Sequence, residues 1–273
     1  MTPTDPRDDW NAAQYAQASS LQEAMAAEVL ALLDLRGDER LLDVGCGDGR
    51  ITAQIADRLP RGSALGVDAS ADMVAHATRE YAAGGAHARA NLRFDVADAR
   101  TLPFTAAFDH VVSFNALHWL HDPAPALRGI AAALAPGGRA HLRLVTRGAA
   151  TSLEEVAEST RKLPRWAPHF DAFEDPYLRL DADDFAALAA SCGLDVRSLH
   201  SAGNAWDFGS EDAFSAFCSA GFGAWTQRLP GALHRAFVDA VIADYRRATN
   251  HGPNEANVFR FVQTDVALDR PTA

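Results

Sequence analysis

Asp43 stands two residues ahead of a glycine-rich run, Gly45-Cys46-Gly47-Asp48-Gly49, and Asp68 follows 23 residues after Gly45. These residue types at this spacing can hold a nucleoside-bearing ligand. Glycines let a ligand approach the backbone closely, and a carboxylate ending a second strand can accept hydrogen bonds from ribose hydroxyls. Such bonds are charge-assisted and hard to replace. A dinucleotide fingerprint, G-x-G-x-x-G counted from Gly45, would require glycine at position 50, where Arg50 stands. The pattern present is D-x-G-x-G-x-G, which weakens the dinucleotide reading. Cys46 could in principle be a reactive thiol, but no base stands beside it in the sequence, so it reads as a small buried filler.

The elements around this loop follow from hydrophobic pattern. Short β-rich runs at 41–45, 63–68, 91–98, 110–115 and 139–145 alternate with stretches of helical spacing at 49–59, 71–84 and 122–135. Pro136-Gly137-Gly138 is expected to stop the last of these helices before its strand. The alternation implies right-handed β-α-β units and a parallel sheet. In such sheets ligands sit outside the carboxyl ends of the strands, which is where the glycine loop opens. Beyond residue 146 the rhythm breaks. A helix near TSLEEVAESTRK is followed by LPRWAPHFDAFEDPY, an aperiodic run expected to be a surface insertion. A helix at 181–192 and a strand near 194–200 resume the core, 211–248 reads as two helices split by Pro230-Gly231, and 257–268 reads as a long final strand.

Composition narrows the partners. Of 273 residues 48% are hydrophobic and 22% charged, enough apolar material for a globular core. The net charge is −11 and no Lys/Arg run occurs, which argues against a phosphate backbone as partner. No apolar stretch reaches the roughly 18 residues of a spanning helix, and MTPTDPRDDW is acidic rather than signal-like, so a cytoplasmic protein without membrane attachment is expected. The three cysteines, Cys46, Cys192 and Cys218, are too scattered for a disulfide framework or a zinc motif, and no metal site is expected.

The D-x-G-x-G-x-G motif, VADA at 96–99 and SFNALHWL at 113–120 occur in the order found in class I S-adenosylmethionine-dependent methyltransferases, and residues 38–145 resemble that family. The resemblance implies a Rossmann-like α/β fold with a seven-stranded, mostly parallel sheet, helices on both faces and an inserted helical cap. It implies S-adenosylmethionine as cofactor and S-adenosylhomocysteine as product. It also implies site roles. Asp43 would hold the methionine amino group directly or through water, Asp68 the ribose, Met73 the adenine face, Asp98 the adenine amino group and Asn115 the methionine end. Gly45, Cys46, Gly47, Gly49, Ala69 and Ala99 complete that cofactor set.

At the N-terminus YAQASSLQ, Tyr15 to Gln22, resembles the opening of the juvenile hormone acid and trans-aconitate methyltransferase group, as do FNALHWL and RWAPHFDAFEDPY. That resemblance implies a small-molecule acceptor, a carboxylate methylated on oxygen, with Gln22 and Trp119 positioning it and Tyr15, His118 and Trp166 lining its site. An amide and an indole N–H are donors that hold an anionic oxygen without quenching it. A carboxylate is already ionised at neutral pH and needs no base. A non-acid natural product methylated on O or N would need one, and His118 is the candidate because histidine titrates near neutrality. A cofactor-binding regulator without chemistry is a third reading. Arg143, Arg147, His141 and Arg165 are further candidate anion partners. The aromatics Trp166, Phe170, Phe173, Tyr177, Trp206, Phe208, Phe214, Phe217, Phe222 and Trp225 suggest an apolar chamber under the cap.

The expected layout is an N-terminal helical lid (1–36), a cofactor core (37–146), a cap insertion (147–180), a core continuation (181–210), a helical cap (211–250) and a terminal core strand (251–273). The chain is expected to act as a monomer or homodimer.

Overall fold

A computed structural model of the protein describes residues 27–249, 252 and 255–272. Tyr15 and Gln22 lie outside the described residues. Among the described residues seven strands form one sheet: β1 (Arg40–Val44), β2 (Ser63–Asp68), β3 (Leu92–Val96), β4 (Phe108–Phe114), β5 (Leu134–Thr146), β6 (Asp195–Asp207) and β7 (Val258–Asp269). Their order is β3-β2-β1-β4-β5-β7-β6, with β7 antiparallel to both neighbours and the remaining pairs parallel. Among the described residues 27–32 are helical, and the helices after β1 are α1 (Arg50–Asp57), α2 (Ala71–Tyr81), α3 (Ala124–Ala133), α4 (Leu153–Arg161), α5 (Ala182–Ser191), α6 (Glu211–Gly221), α7 (Gly223–Thr226) and α8 (Gly231–Ala248). No helix among the described residues is long and apolar enough to cross a membrane.

The central strands read as near-continuous apolar runs because both their faces are covered. Leu41, Leu42 and Val44 of β1 are fully buried. On one face α1 and α2 enclose Leu41, Ile55, Ala77 and Phe94; on the other α3 and α5 enclose Leu42, Val111, Ile130 and Phe185. The chain runs outward from β1 through β2 to β3 and then returns to β4 on β1's other side. The carboxyl ends of β1 and β4 therefore diverge into a crevice, the position at which doubly wound sheets take their ligands.

A third core lies beyond the two that cover the sheet. Leu153, Val156, Trp166 and Phe170 from 147–180 pack with Phe214, Phe222, Trp225, Phe237 and Tyr245 from 211–250, and with Phe259 of β7. Ser152 starts α4 through a reciprocal capping box with Glu155, which satisfies two helix-end donors.

Three elements depart from expectation. β6 runs to Asp207 rather than ending near 200, because β7 pairs with it along its whole length despite the weak apolar alternation of its second half. The 211–229 stretch is two helices rather than one, broken at Phe222, so the cap has three helices here. α3 stops at Ala133, ahead of Pro136-Gly137-Gly138, and that triplet is an irregular part of β5, tied to the end of β7 by bonds between Gly137, Gly138 and Arg270.

Candidate functional site

The crevice is built first by backbone. At the end of β1 the N–H groups of Gly45 and Cys46 both donate to the Val67 carbonyl of β2, at 2.8 and 3.0 Å. Gly47 N–H donates to Asp68 Oδ2 at 3.0 Å, and Ser70 N–H to Asp68 Oδ1 at 2.9 Å. Asp68 thereby ties the loop to β2, and each of its oxygens keeps a second lone pair. Burial pushes its carboxyl above the usual range, against these backbone bonds. Ser70 caps α2, accepting from Met73 N–H.

Two glycines show different needs. Gly45 has φ of +78°, and a Cβ there would lie 2.2 Å from the Cβ of Ala116, so the turn after β4 rests directly on the loop. Gly47 has φ of +54° with nothing within 4 Å of a built Cβ. The first permits packing and the second leaves space for a ligand. Cys46 is a filler: burial, then the nearby Asp43 and Asp68 charges, push its thiol well above the usual range.

Asp43 is 2% exposed and accepts a hydrogen bond from Thr52 Oγ1 at 2.6 Å. Its pKa is pushed up to about 7 by burial and by the Asp68 charge, with the Thr52 bond opposing. A buried carboxylate of this kind suits a ligand cation, as the methionine ammonium requires. The crevice residues thus fit a nucleoside carrying an amino-acid tail.

Met73 is buried in the first turn of α2, and Ala69 links Asp68 to the helix cap. Asp98 caps a short 3₁₀ turn that begins at Ala99, and its carboxylate is held by the Arg100 guanidinium at 2.7–3.1 Å. Asn115, the residue after β4, has a φ of +56° and donates its N–H to the Arg143 carbonyl at 2.7 Å. Its Oδ1 accepts from Gln263 Nε2 at 3.1 Å. Gln263 was not singled out from sequence. Its available signal is an amide beside a threonine in the middle of a strand whose flanking residues, Val262 and Val266, are apolar.

His118 and Trp119 follow β4 on a 3₁₀ turn. His118 Nδ1 accepts the Val145 N–H at 3.2 Å, and burial lowers its pKa to about 3. A neutral imidazole carries one N–H, so the proton lies on Nε2. This geometry does not suit the general-base role considered for His118. Tyr177 closes the cluster, its ring 5.3 Å from His118 and 5.2 Å from Trp119, the latter edge-on. Trp119 in turn meets Trp225 at 6.4 Å. Trp166 is placed differently from expectation. It is 2% exposed and packs edge-on to Phe237 in the cap's own core. Most of the aromatics expected to line a chamber likewise pack within that core.

A groove of about 310 Å³ opens among β5, β6 and β7, lined by Val145, Ser152, Glu154, Asn204, Arg260 and Phe261 among others. Of the candidate anion partners, Arg143 is held by Asp265 through two 2.8 Å bonds and by Glu28, and His141 also faces Asp265. Burial opposes ionisation of Asp265, yet bonds from His141 and Arg143 hold it at about 2. Arg165 lies over the Trp166 ring.

Residues 42–140 match a family described as a methyltransferase domain. The chain is 39% identical over 129 residues to a trans-aconitate 2-methyltransferase of Deinococcus radiodurans, covering 47% of this chain and 46% of that protein. It is 29% identical over 174 residues to a juvenile hormone acid O-methyltransferase of Bombyx mori, covering 61% and 62%. With a trans-aconitate 2-methyltransferase of Streptomyces avermitilis it shares 31% over 195 residues, covering 68% and 70%. The first curated relatives are thus matched over about half to two thirds of their length. A geranyl diphosphate C-methyltransferase from Streptomyces coelicolor, solved with S-adenosyl-L-homocysteine, shares the fold with a TM-score of 0.57 at 16% identity, covering 92% of this chain and 76% of that one.

Proposed function

Because the chain belongs to the class I S-adenosylmethionine-dependent methyltransferases, we propose that it methylates a carboxylate oxygen of a small organic acid. Bound S-adenosyl-L-methionine supplies an electrophilic methyl group on a sulfonium and leaves as S-adenosyl-L-homocysteine. In this reading Asp68 accepts from the ribose hydroxyls, Met73 and the Asp98–Ala99 turn flank the adenine, and Asp43 and Asn115 meet the amino-acid tail. Gly47 supplies the open face of the loop.

The observation that carries the acid reading is His118. Its Nδ1 is occupied by the Val145 N–H and its ring is kept neutral by burial, so what it has to offer is an Nε2–H donor. An ionised carboxylate needs donors and no base, whereas an alcohol, phenol or ammonium must lose a proton. The Trp119 indole N–H and the Gln22 amide are further donors for the same oxygen atoms. Tyr15 and Trp119 would close the site around the acceptor. Catalysis then comes from holding the acceptor oxygen in line with the methyl group, and positioning of this kind contributes up to about 7–11 kcal/mol in the best intramolecular cases. The carboxylic acids named in the two groups of relatives support the same substrate class.

The test is incubation with isotope-labelled cofactor and a panel of carboxylic acids, amines and phenols, read by mass spectrometry. Label recovered as an alkali-labile ester is the expected result. Label on nitrogen, or on an oxygen resistant to alkali, overturns the acid reading, and cofactor binding without turnover on any acceptor points to a regulator instead.

A further inference from the structure

Tyr177 is fixed from three sides. Its N–H donates to Asp175 Oδ1 at 3.0 Å, and the N–H of Leu178 donates to the His118 carbonyl at 2.8 Å. The second bond lays this stretch of the insertion against the turn after β4, and the Tyr177 and His118 rings stand 5.3 Å apart. The Arg179 guanidinium lies over the Tyr177 ring at 5.0 Å while paired with Asp175 at 2.7 Å. All these contacts use the backbone or the ring. Tyr177 is 5% exposed, yet its hydroxyl is hydrogen-bonded to none of the described residues. A buried hydroxyl without a partner is uncommon and asks for a reason. Burial, then the Glu154 charge, push the phenol well above its usual range, so the group is an intact O–H donor.

A second donor in the same state stands beside it. His118, also 5% exposed, has Nδ1 engaged by the Val145 N–H at 3.2 Å, and its Nε2–H meets no acceptor among the described residues. Two buried donors on adjoining rings, with Trp119 edge-on to Tyr177 at 5.2 Å, suit an anionic oxygen. We propose that Tyr177 is a further substrate-binding residue, whose hydroxyl shares with His118 Nε2–H the carboxylate oxygen that is not methylated. The inference rests on the acid reading above. The attacking oxygen must turn a lone pair toward the sulfonium methyl, whereas the other oxygen keeps both of its lone pairs for donors. As the O–CH₃ bond forms and the S–CH₃ bond breaks, the bonding pair stays on sulfur, the carboxylate loses its charge and no proton moves. A donor bonds more strongly to the ionised acid than to the neutral ester. The Tyr177 bond is therefore strongest before transfer: it lowers KM without raising kcat, and it weakens once the ester has formed.

Tyr177→Phe tests this, because it keeps the ring and removes only an oxygen that bonds to none of the described residues. The variant should keep its Tm and bind S-adenosylhomocysteine within about twofold of the unaltered protein by calorimetry. With an acid that the unaltered protein esterifies, and with the cofactor saturating, the acid's KM should rise about ten- to a hundredfold while kcat stays the same or rises slightly. The methyl ester of that acid, used as a product inhibitor, should bind within about threefold of its affinity for the unaltered protein. Equal weakening of acid and ester, or an unchanged KM, overturns the proposal. A Tm lower by several degrees, or lost S-adenosylhomocysteine binding, would show that the hydroxyl belongs to the fold and overturns it as well. If the unaltered protein places its label on nitrogen or on an alkali-resistant oxygen, the acid reading itself fails and this inference with it.

Discussion

The two ends of the crevice are made in different ways. At the proposed cofactor end the lining is backbone groups and short polar side chains on one strand-turn-helix run: Gly45, Gly47 and Asp68 are positioned by hydrogen bonds of 2.8–3.0 Å between β1, β2 and the loop. At the proposed acceptor end the lining is rings contributed by segments far apart in the chain, with Trp119, Tyr177 and Trp225 meeting at 5.2–6.4 Å. A backbone-made site tolerates little change in shape and binds one ligand class. A ring-lined site can change its specificity by exchanging side chains while the sheet beneath stays fixed, which is consistent with one fold serving many acceptors.

The sharpest way to break this contrast is at Gly45. Alanine there would place a Cβ 2.2 Å from Ala116 and hold a positive φ. Overpacking and left-handed strain together are expected to cost about 3 kcal/mol or more, lowering Tm by roughly 6–12 °C and abolishing cofactor binding. Gly47→Ala, which meets no atom within 4 Å, should cost only its backbone strain of about 1 kcal/mol while still weakening the cofactor. Thermal unfolding of both variants checks this. Equal losses would mean that the loop is not packed against the end of β4.

The next largest effect should fall on the other end alone. Glu158, 9% exposed, accepts from the Trp225 indole N–H and from Arg161 Nε, both at 2.8 Å. Glu158→Ala leaves a buried indole N–H unsatisfied, at a cost of about 1–3 kcal/mol, and loosens the ring against which Trp119 packs. The acceptor's KM should rise while S-adenosylhomocysteine affinity stays within about twofold. A matching loss of cofactor affinity would show that the two ends are not independent.

The same contrast explains what the sequence disclosed. Asp43, the glycines and Asp68 are legible because a strand, a turn and a helix N-terminus follow one another within thirty residues, and their geometry is local. The parallel sheet is legible for the same reason, from alternating periodicities. Gln263 is not legible, because its meaning comes from Asn115, 148 residues away. The resemblance of RWAPHFDAFEDPY implies an acceptor role for Trp166, yet its contacts with Phe237 make it cap core. The second half of β6, SAGNAWD, carries little strand pattern of its own and is extended because β7 lies beside it. Tertiary partners decide each of these cases.

A smaller effect separates the ends by pH. Burial and the Asp68 charge raise Asp43 to about 7 in the cofactor-free protein, above the roughly 3.9 of an unfolded aspartate. The cofactor-free protein therefore loses stability from this residue as pH rises from about 4 through 7. The ammonium of the tail needs the ionised form, so cofactor affinity should rise about tenfold between pH 6 and 8. Asp43→Asn should flatten that slope. Calorimetry in buffers of different ionisation enthalpy should detect proton release on binding to the unaltered protein. Affinity that falls with pH would remove Asp43 from contact with a cation.

At the acceptor end the expected pH dependence is nil. His118 titrates at about 3, so between pH 6 and 8 its ring is neutral in the folded protein. With both substrates saturating, kcat should then vary by less than about twofold over that range. His118→Ala removes one neutral donor, worth about 1 kcal/mol, and should raise the acid's KM about fivefold without changing the shape of the kcat profile. A histidine acting as base predicts the opposite pair of results. Its rate would climb with pH as the ring loses its proton, and the climb would disappear in the alanine variant together with most of kcat. The Val145 N–H decides between these outcomes physically, because a lone pair engaged by a backbone donor at 3.2 Å is not available to accept a proton from substrate. A rising profile in the unaltered protein that flattens in His118→Ala would therefore require that bond to break during turnover, and would transfer the reaction from acids to acceptors that must be deprotonated.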